Sequence, residues 1–240
     1  MSLSKRPKVF CALDGQDLQK LTTLARSIAA HVDGFKTGLE FFCTRGPEGI
    51  RAISEMGKPI FLDLKLHDIP NTVKGAVSAL HPIAPSILTI HASGGEAMIR
   101  AALEGMRESW GQDHIDRSKI VGVTVLTSLD EADLDAQSIP GGSTEHALRL
   151  ATLTQSAGAH GVVCAPQEAA SLRARFGEDF CLVVPGVRPV WADANDQKRV
   201  MTPADAAKAG ADVLVIGRPI TGASSPADAA KRIAEELDSA

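Results

Sequence analysis

Eight short apolar runs, most of them rich in β-branched residues, recur along the chain at 9–13, 34–37, 60–64, 87–90, 120–126, 161–164, 181–185 and 213–216. Each has the length of a buried strand rather than of a core helix. Segments with helical periodicity separate them, for example 18–30, 72–80, 96–110, 145–157, 167–176, 203–209 and 226–237. Strict strand-helix alternation implies a parallel sheet, and near-continuous apolar strands require cover on both faces. That leaves a closed barrel or a doubly wound open sheet.

Eight repeats in 240 residues favour the barrel, whose usual length is about 250 residues. The dinucleotide-binding alternative needs a glycine-rich turn after the first strand, and Ala12-Leu13-Asp14-Gly15 stands there instead. Neither a linker nor a low-complexity stretch interrupts the series. The expectation is an α/β TIM (β/α)8 barrel forming a single domain over 1–240.

Charge limits the possible partners. A net charge of −4 offers no basic footprint for nucleic acid or an anionic membrane, so any anion has to be bound locally. No long apolar run appears, nor a leader-like start, and the expected location is the cytoplasm. Cys11, Cys43, Cys164 and Cys181 show no CxxC spacing, and three of them lie in apolar runs where a thiol acts as a small hydrophobe.

A barrel places its chemistry at the C-terminal ends of the strands. Polar residues close the runs there: Asp14, Lys36, Asp63-Leu64-Lys65, His91, Leu126-Thr127-Ser128, Pro185-Gly186-Val187-Arg188 and Ile216-Gly217-Arg218. Asp63 and Lys65, two residues apart, share a strand face at about 6.6 Å along it and point together into the mouth. Charges on an apolar strand concentrate at functional sites, although a structural ion pair is the plainer reading. Asp68 also has a plain reading, as an aid to the N-terminus of a helix beginning at Pro70. His67 and His91 have no metal-ligand spacing, and neither is assigned a catalytic role.

The ends of strands seven and eight suggest a phosphate site. Gly217 would admit a close backbone approach, and Arg218 and Arg188 carry forked donors suited to phosphate. A surface salt bridge is the alternative for Arg218. The long polar stretch 189–199 has the length of a lid, from which Gln197 could offer its amide to a ligand. The stretch 128–142 is of similar length and suggests no role beyond that of Thr127 at its entrance.

Asp63-Leu64-Lys65-Leu66-His67-Asp68-Ile69-Pro70-Asn71-Thr72 resembles the signature of the orotidine 5'-phosphate decarboxylases. The resemblance extends to Leu13-Asp14, Phe35-Lys36-Thr37-Gly38, His91-Ala92-Ser93-Gly94-Gly95, Val125-Leu126-Thr127-Ser128, Pro185-Gly186-Val187-Arg188, Gln197 and Gly217-Arg218-Pro219-Ile220, in the family's order. It implies that Lys65 protonates C6 of the pyrimidine, with Asp63, Lys36 and Asp68 completing an alternating charge array. It also implies a homodimer in which Asp68, Ile69 and Thr72 line the nucleotide site, with Asp68 and Thr72 supplied across the interface. Asp14 and Lys36 would meet the ribose, Thr127 the pyrimidine edge, and Arg188, Gln197, Gly217 and Arg218 the phosphate. Neither cofactor nor metal is implied.

Two rivals stay open. A sugar-phosphate decarboxylase or aldolase of the same barrel group can show a similar Asp-x-Lys-x-x-Asp while using a magnesium-stabilised enediolate. A catalytically silent nucleotide-binding protein is the other, and it would have no need of Asp63 and Lys65 together.

Overall fold

The computed structural model describes residues 6–192 and 201–240. The chain alternates strand and helix: β1 (Lys8–Leu13), α1 (Leu18–Ile28), β2 (Gly34–Gly38), α2 (Leu39–Ser54), β3 (Ile60–Leu66) and α3 (Pro70–Ala79). It continues through β4 (Ile87–His91), α4 (Gly95–Ser109), the short α5 (Gln112–Ile115), β5 (Lys119–Val123), α6 (Glu131–Ala136) and α7 (Gly142–Ser156). The last third comprises β6 (Gly161–Val163), α8 (Ala169–Phe176), β7 (Cys181–Pro185), α9 (Pro203–Lys208), β8 (Val213–Ile216), α10 (Arg218–Thr221) and α11 (Pro226–Asp238). All eight strands pair in parallel with their sequence neighbours, and β1 pairs with β8 to close a TIM barrel.

Alternation of side chains along each strand divides the core in two. Outward residues such as Leu13, Phe35, Leu62, Leu88, Val162, Leu214 and Ile216 pack against the helices. Inward residues Phe10, Ala12, Phe61, Ile87, Val121, Val183, Val213 and Val215 fill the barrel. Phe10 meets Phe61 edge-on, with ring centroids 6.2 Å apart. Its ring takes the space that a side chain at Gly34 would need, since a Cβ there would lie 2.3 Å from Phe10 Cε1. The barrel floor is thus an apolar plug.

Three sequence expectations need revision. The run expected as strand over 120–126 ends as strand at Val123, and at Thr124 the backbone N–H and the hydroxyl both donate to the Val163 carbonyl. The segment after β2, not singled out by its pattern, is the long α2, which kinks at Gly46 (φ 58°) before Pro47. The stretch 128–142 contains α6, whose N-terminus is closed by reciprocal hydrogen bonds between Asp130 and Asp133.

Helix α3 is held unusually close to α4. Gly105 lets the Lys74 carbonyl approach, Ser78 donates to the Gly105 carbonyl, and Trp110 donates through Nε1 to the Val77 carbonyl at 3.0 Å. Lys74 bridges to Glu104 at 3.1 Å and Glu108 at 2.9 Å. These contacts fix the helix that follows Asp68. All four cysteines are free; Cys11, Cys164 and Cys181 are buried, and burial pushes the Cys11 thiol up to about 12.

Candidate active site

The mouth of the barrel carries two ammonium-carboxylate pairs on adjacent elements. Lys36, on β2, places Nζ 3.0 Å from Oδ1 of Asp14, which follows β1. Lys65, on β3, places Nζ 2.7 Å from Oδ2 of Asp63. Gly38 stands opposite Asp63 in the β2–β3 ladder. A Cβ at Gly38 would lie 3.3 Å from Lys36 Nζ, so glycine there leaves the ammonium room. The pairs differ in wetness: the Asp14 side chain is 63% exposed, that of Asp63 only 14%. A carboxylate so enclosed needs hydrogen-bond partners in place of water.

Those partners come from a local irregularity. The β3–β4 register passes from Leu62↔Leu88 to Leu66↔Ile90, four steps along β3 against two along β4. Within this bulge Lys65 adopts φ 50°, a left-handed conformation costing roughly 1–2 kcal/mol for a residue with a Cβ. The expected meeting of Asp63 and Lys65 is observed, but on a bulged strand rather than a regular one. Thr89 of β4, fully buried, accepts the Lys65 backbone N–H at 2.9 Å and donates to Asp63 Oδ1 at 2.9 Å. Thr89 was not among the sequence-predicted residues.

His67 and His91 close β3 and β4 and stand together, ring centroids 5.3 Å apart. Burial holds the His91 imidazole below its ordinary value, and the charges of His67 and Lys65 add to this while Asp63 opposes it. Among the described residues no group of three or more His, Cys, Asp and Glu is arranged to hold a metal ion.

Asp68, Ile69 and Thr72 lie on the exposed rim of the same chain. Asp68 does not cap α3: the N-cap is Ile69, and Asp68 Oδ1 accepts the Ile69 N–H at 2.7 Å. Two large apolar side chains, Leu39 and Ile69, are exposed at the starts of α2 and α3. Thr127 is exposed beyond the end of β5.

On the other flank of β1, Gly217 follows β8 and Arg218 begins α10. A Cβ at Gly217 would meet Ala12 Cβ at 3.4 Å, an ordinary contact. Arg188 is buried just beyond β7, and its N–H donates to the Met201 carbonyl at 2.9 Å. A parallel bridge from Val187 to Met201 joins the two ends of the intervening segment. The Trp191 ring lies under the Arg232 guanidinium, 4.3 Å from centroid to Cζ. Gln197 lies outside the described residues.

The family model described as orotidine 5'-phosphate decarboxylase / HUMPS family matches residues 7–233. The chain is 52% identical over 230 residues to a Rhodospirillum rubrum protein named orotidine 5'-phosphate decarboxylase, covering 95% of this chain and 93% of that one. A protein of the same name from Paramagnetospirillum magneticum is 49% identical over 229 residues, covering 95% of this chain and 97% of its own. Among solved structures, the orotidine 5'-phosphate decarboxylase of Lactobacillus acidophilus superposes with a TM-score of 0.85 at 35% identity, covering 98% of this chain and all of that one.

Proposed function

The chain belongs to the orotidine 5'-phosphate decarboxylase / HUMPS family, and from that premise we propose that it converts orotidine 5'-phosphate to uridine 5'-phosphate and carbon dioxide in pyrimidine biosynthesis. The observation that carries this reading is the Lys65 ammonium held 2.7 Å from the enclosed Asp63 carboxylate at the barrel mouth. Loss of carbon dioxide from C6 leaves an electron pair on a carbon with no good electron sink. An adjacent ammonium stabilises that charge and then delivers the proton that quenches it, a task needing neither pyridoxal phosphate nor thiamine.

Asp63 faces the substrate carboxylate in this reading. Two like charges about 4 Å apart at an effective dielectric near 20 repel by roughly 4 kcal/mol, or about three orders of magnitude in rate. Enzymes commonly supply about 8–23 kcal/mol. Repulsion is thus the smaller share, and transition-state stabilisation by Lys65 the larger. Lys36 and Asp14 take the ribose hydroxyls, and Thr127 the pyrimidine edge. Arg188, Gln197, Gly217 and Arg218 take the phosphate. Phosphate binding remote from C6 then holds the charged array in its reactive arrangement.

The second component is a homodimer in which Asp68 and Thr72 complete the partner's site, with Ile69 lining it. Its support is the exposure of these residues in the single chain, together with that of the apolar Leu39 and Ile69. Among the described residues no helix is long and apolar enough to cross a membrane, which fits a cytoplasmic enzyme acting on a small nucleotide.

The test is the fall in pyrimidine absorbance when the purified protein meets orotidine 5'-phosphate in excess chelator, with Lys65→Ala alongside. Rapid loss that disappears in the variant is expected. Activity only with magnesium and a sugar phosphate would transfer the chain to the enediolate branch of its barrel group.

A further inference from the structure

Asp63 and Lys65 belong to an irregular stretch of strand, and something must hold that irregularity in one form. A bulge removes surplus residues from the ladder and leaves their backbone groups in search of partners. In β3 the Lys65 N–H finds a side chain, Oγ1 of Thr89, at 2.9 Å. The same oxygen donates its proton to Asp63 Oδ1 at 2.9 Å. The second carboxylate oxygen, Oδ2, is left to the Lys65 ammonium at 2.7 Å. Backbone N–H, hydroxyl, carboxylate and ammonium thus close a ring that begins and ends on Lys65.

We propose that Thr89 is a positioning residue for the decarboxylation proposed above: its hydroxyl locks both the left-handed backbone of Lys65 and the carboxylate plane of Asp63, and so sets where the ammonium stands. The inference rests on the proposed function for its kinetic consequence, whereas the ring itself is a structural relationship. The chemistry at position 89 is restrictive. A hydroxyl accepts and donates through one atom, so it can serve an N–H and a carboxylate together. Valine has the same shape and does neither. Thr89 is fully buried, so bulk water is not at hand to replace the lost partners, and an unsatisfied N–H and carboxylate oxygen would drive the loop and the acid to rearrange.

Among the described residues the Thr89 hydroxyl bonds to Asp63 and Lys65, neither of them a phosphate or ribose contact in the proposed reading, which separates its effect from substrate capture. Misplacement of a reacting group by about 1 Å can cost on the order of a hundredfold in rate. Thr89→Val is therefore expected to lower kcat by between about tenfold and a hundredfold while the KM for orotidine 5'-phosphate and the affinity for uridine 5'-phosphate change by less than about threefold. Thr89→Ser, which keeps the hydroxyl and loses only a methyl, is expected to recover most of the turnover.

The experiment measures kcat, KM and uridine 5'-phosphate affinity for the parent and both variants, together with crystal structures of the parent and Thr89→Val. Loss confined to kcat, rescued by serine, with the Lys65 amide or the Asp63 carboxylate displaced in the valine variant, is the expected result. Equal activity of parent and valine variant, or equal loss in both variants, overturns the inference. Should the parent fail to decarboxylate the substrate, the proposed function falls by itself. The positioning role would then be judged by the valine variant's structure, and an unmoved Asp63–Lys65 pair would overturn it too.

Discussion

Nζ of Lys65 lies 2.7 Å from Oδ2 of Asp63, two residues earlier on the same bulged strand. The carboxylate in this pair is the more enclosed partner, with 14% of its side chain exposed against 30% for the lysine. Replacing Asp63 by asparagine keeps the shape, removes the negative charge and releases the ammonium. The chemical rate, read in single turnover, is expected to fall by on the order of a hundred- to a thousandfold. An unchanged rate would eliminate carboxylate repulsion as a contributor.

The exposed rim position of Asp68 gives the shared-site reading a direct test. Lys65→Ala and Asp68→Ala are each expected to be inactive alone. Refolded together from an equimolar mixture, they should recover up to about a quarter of parental activity, because half of the random dimers carry one intact site. If both residues act within one chain, mixing restores nothing.

The close approach of α3 to α4 turns on Gly105. A Cβ there would lie 2.5 Å from the Lys74 carbonyl oxygen, whereas one at Gly75 would meet nothing within 4 Å. Gly105→Ala is therefore expected to destabilise the fold by about 1–3 kcal/mol and to lower turnover, since α3 carries Thr72. Gly75→Ala should be neutral or stabilising by up to about 1 kcal/mol. Urea unfolding of the two variants distinguishes these outcomes, and equal effects would refute the packing argument.

Glu168 is a buried carboxyl outside the site, its Oε2 accepting the Ala165 N–H at 2.9 Å. Burial raises it to about 7 from an ordinary 4.5, against the smaller opposing effect of that hydrogen bond. Because the folded value is the higher, its contribution to stability is fully present below pH 4.5 and is lost as pH rises through about 7. Glu168→Gln keeps an acceptor for Ala165 and carries no charge. It is expected to be more stable than the parent by about 3 kcal/mol at pH 8, with less than half that gain at pH 5. A gain independent of pH would mean that Glu168 is not the titrating group.

Much of this was legible before any coordinates, for reasons that differ by element. Strands buried on both faces announce themselves as continuous apolar runs, so the barrel and its eight strands could be read directly. The same signal misled at Thr124, Val125 and Leu126, which are apolar or β-branched and mostly buried but lie beyond the end of β5. Helix α2 escaped notice because Gly46-Pro47 breaks its periodicity. Period-two spacing joined Asp63 to Lys65, yet no local pattern announced the left-handed Lys65 backbone. Thr89 was invisible for a related reason: within Ile87-Leu88-Thr89-Ile90 it reads as one more β-branched core residue. Its meaning comes from Asp63, 26 positions earlier in the chain. Asp68 seemed suited to capping α3, but its carboxylate turned to the adjacent Ile69 N–H instead.

The apolar plug beneath the site has a consequence for traffic. Phe10 and Phe61 lock edge-to-face below the charged pairs, with Ile87, Val121, Val183 and Val213 around them. Among the described residues these side chains fill the barrel beneath the site. On the proposed reaction, gas formed against Asp63 vents through the doorway by which the nucleotide came in, past the ring and ribose still seated there. On that reading the barrel works as a flask with one neck, and the small product has to pass the large one or wait for it.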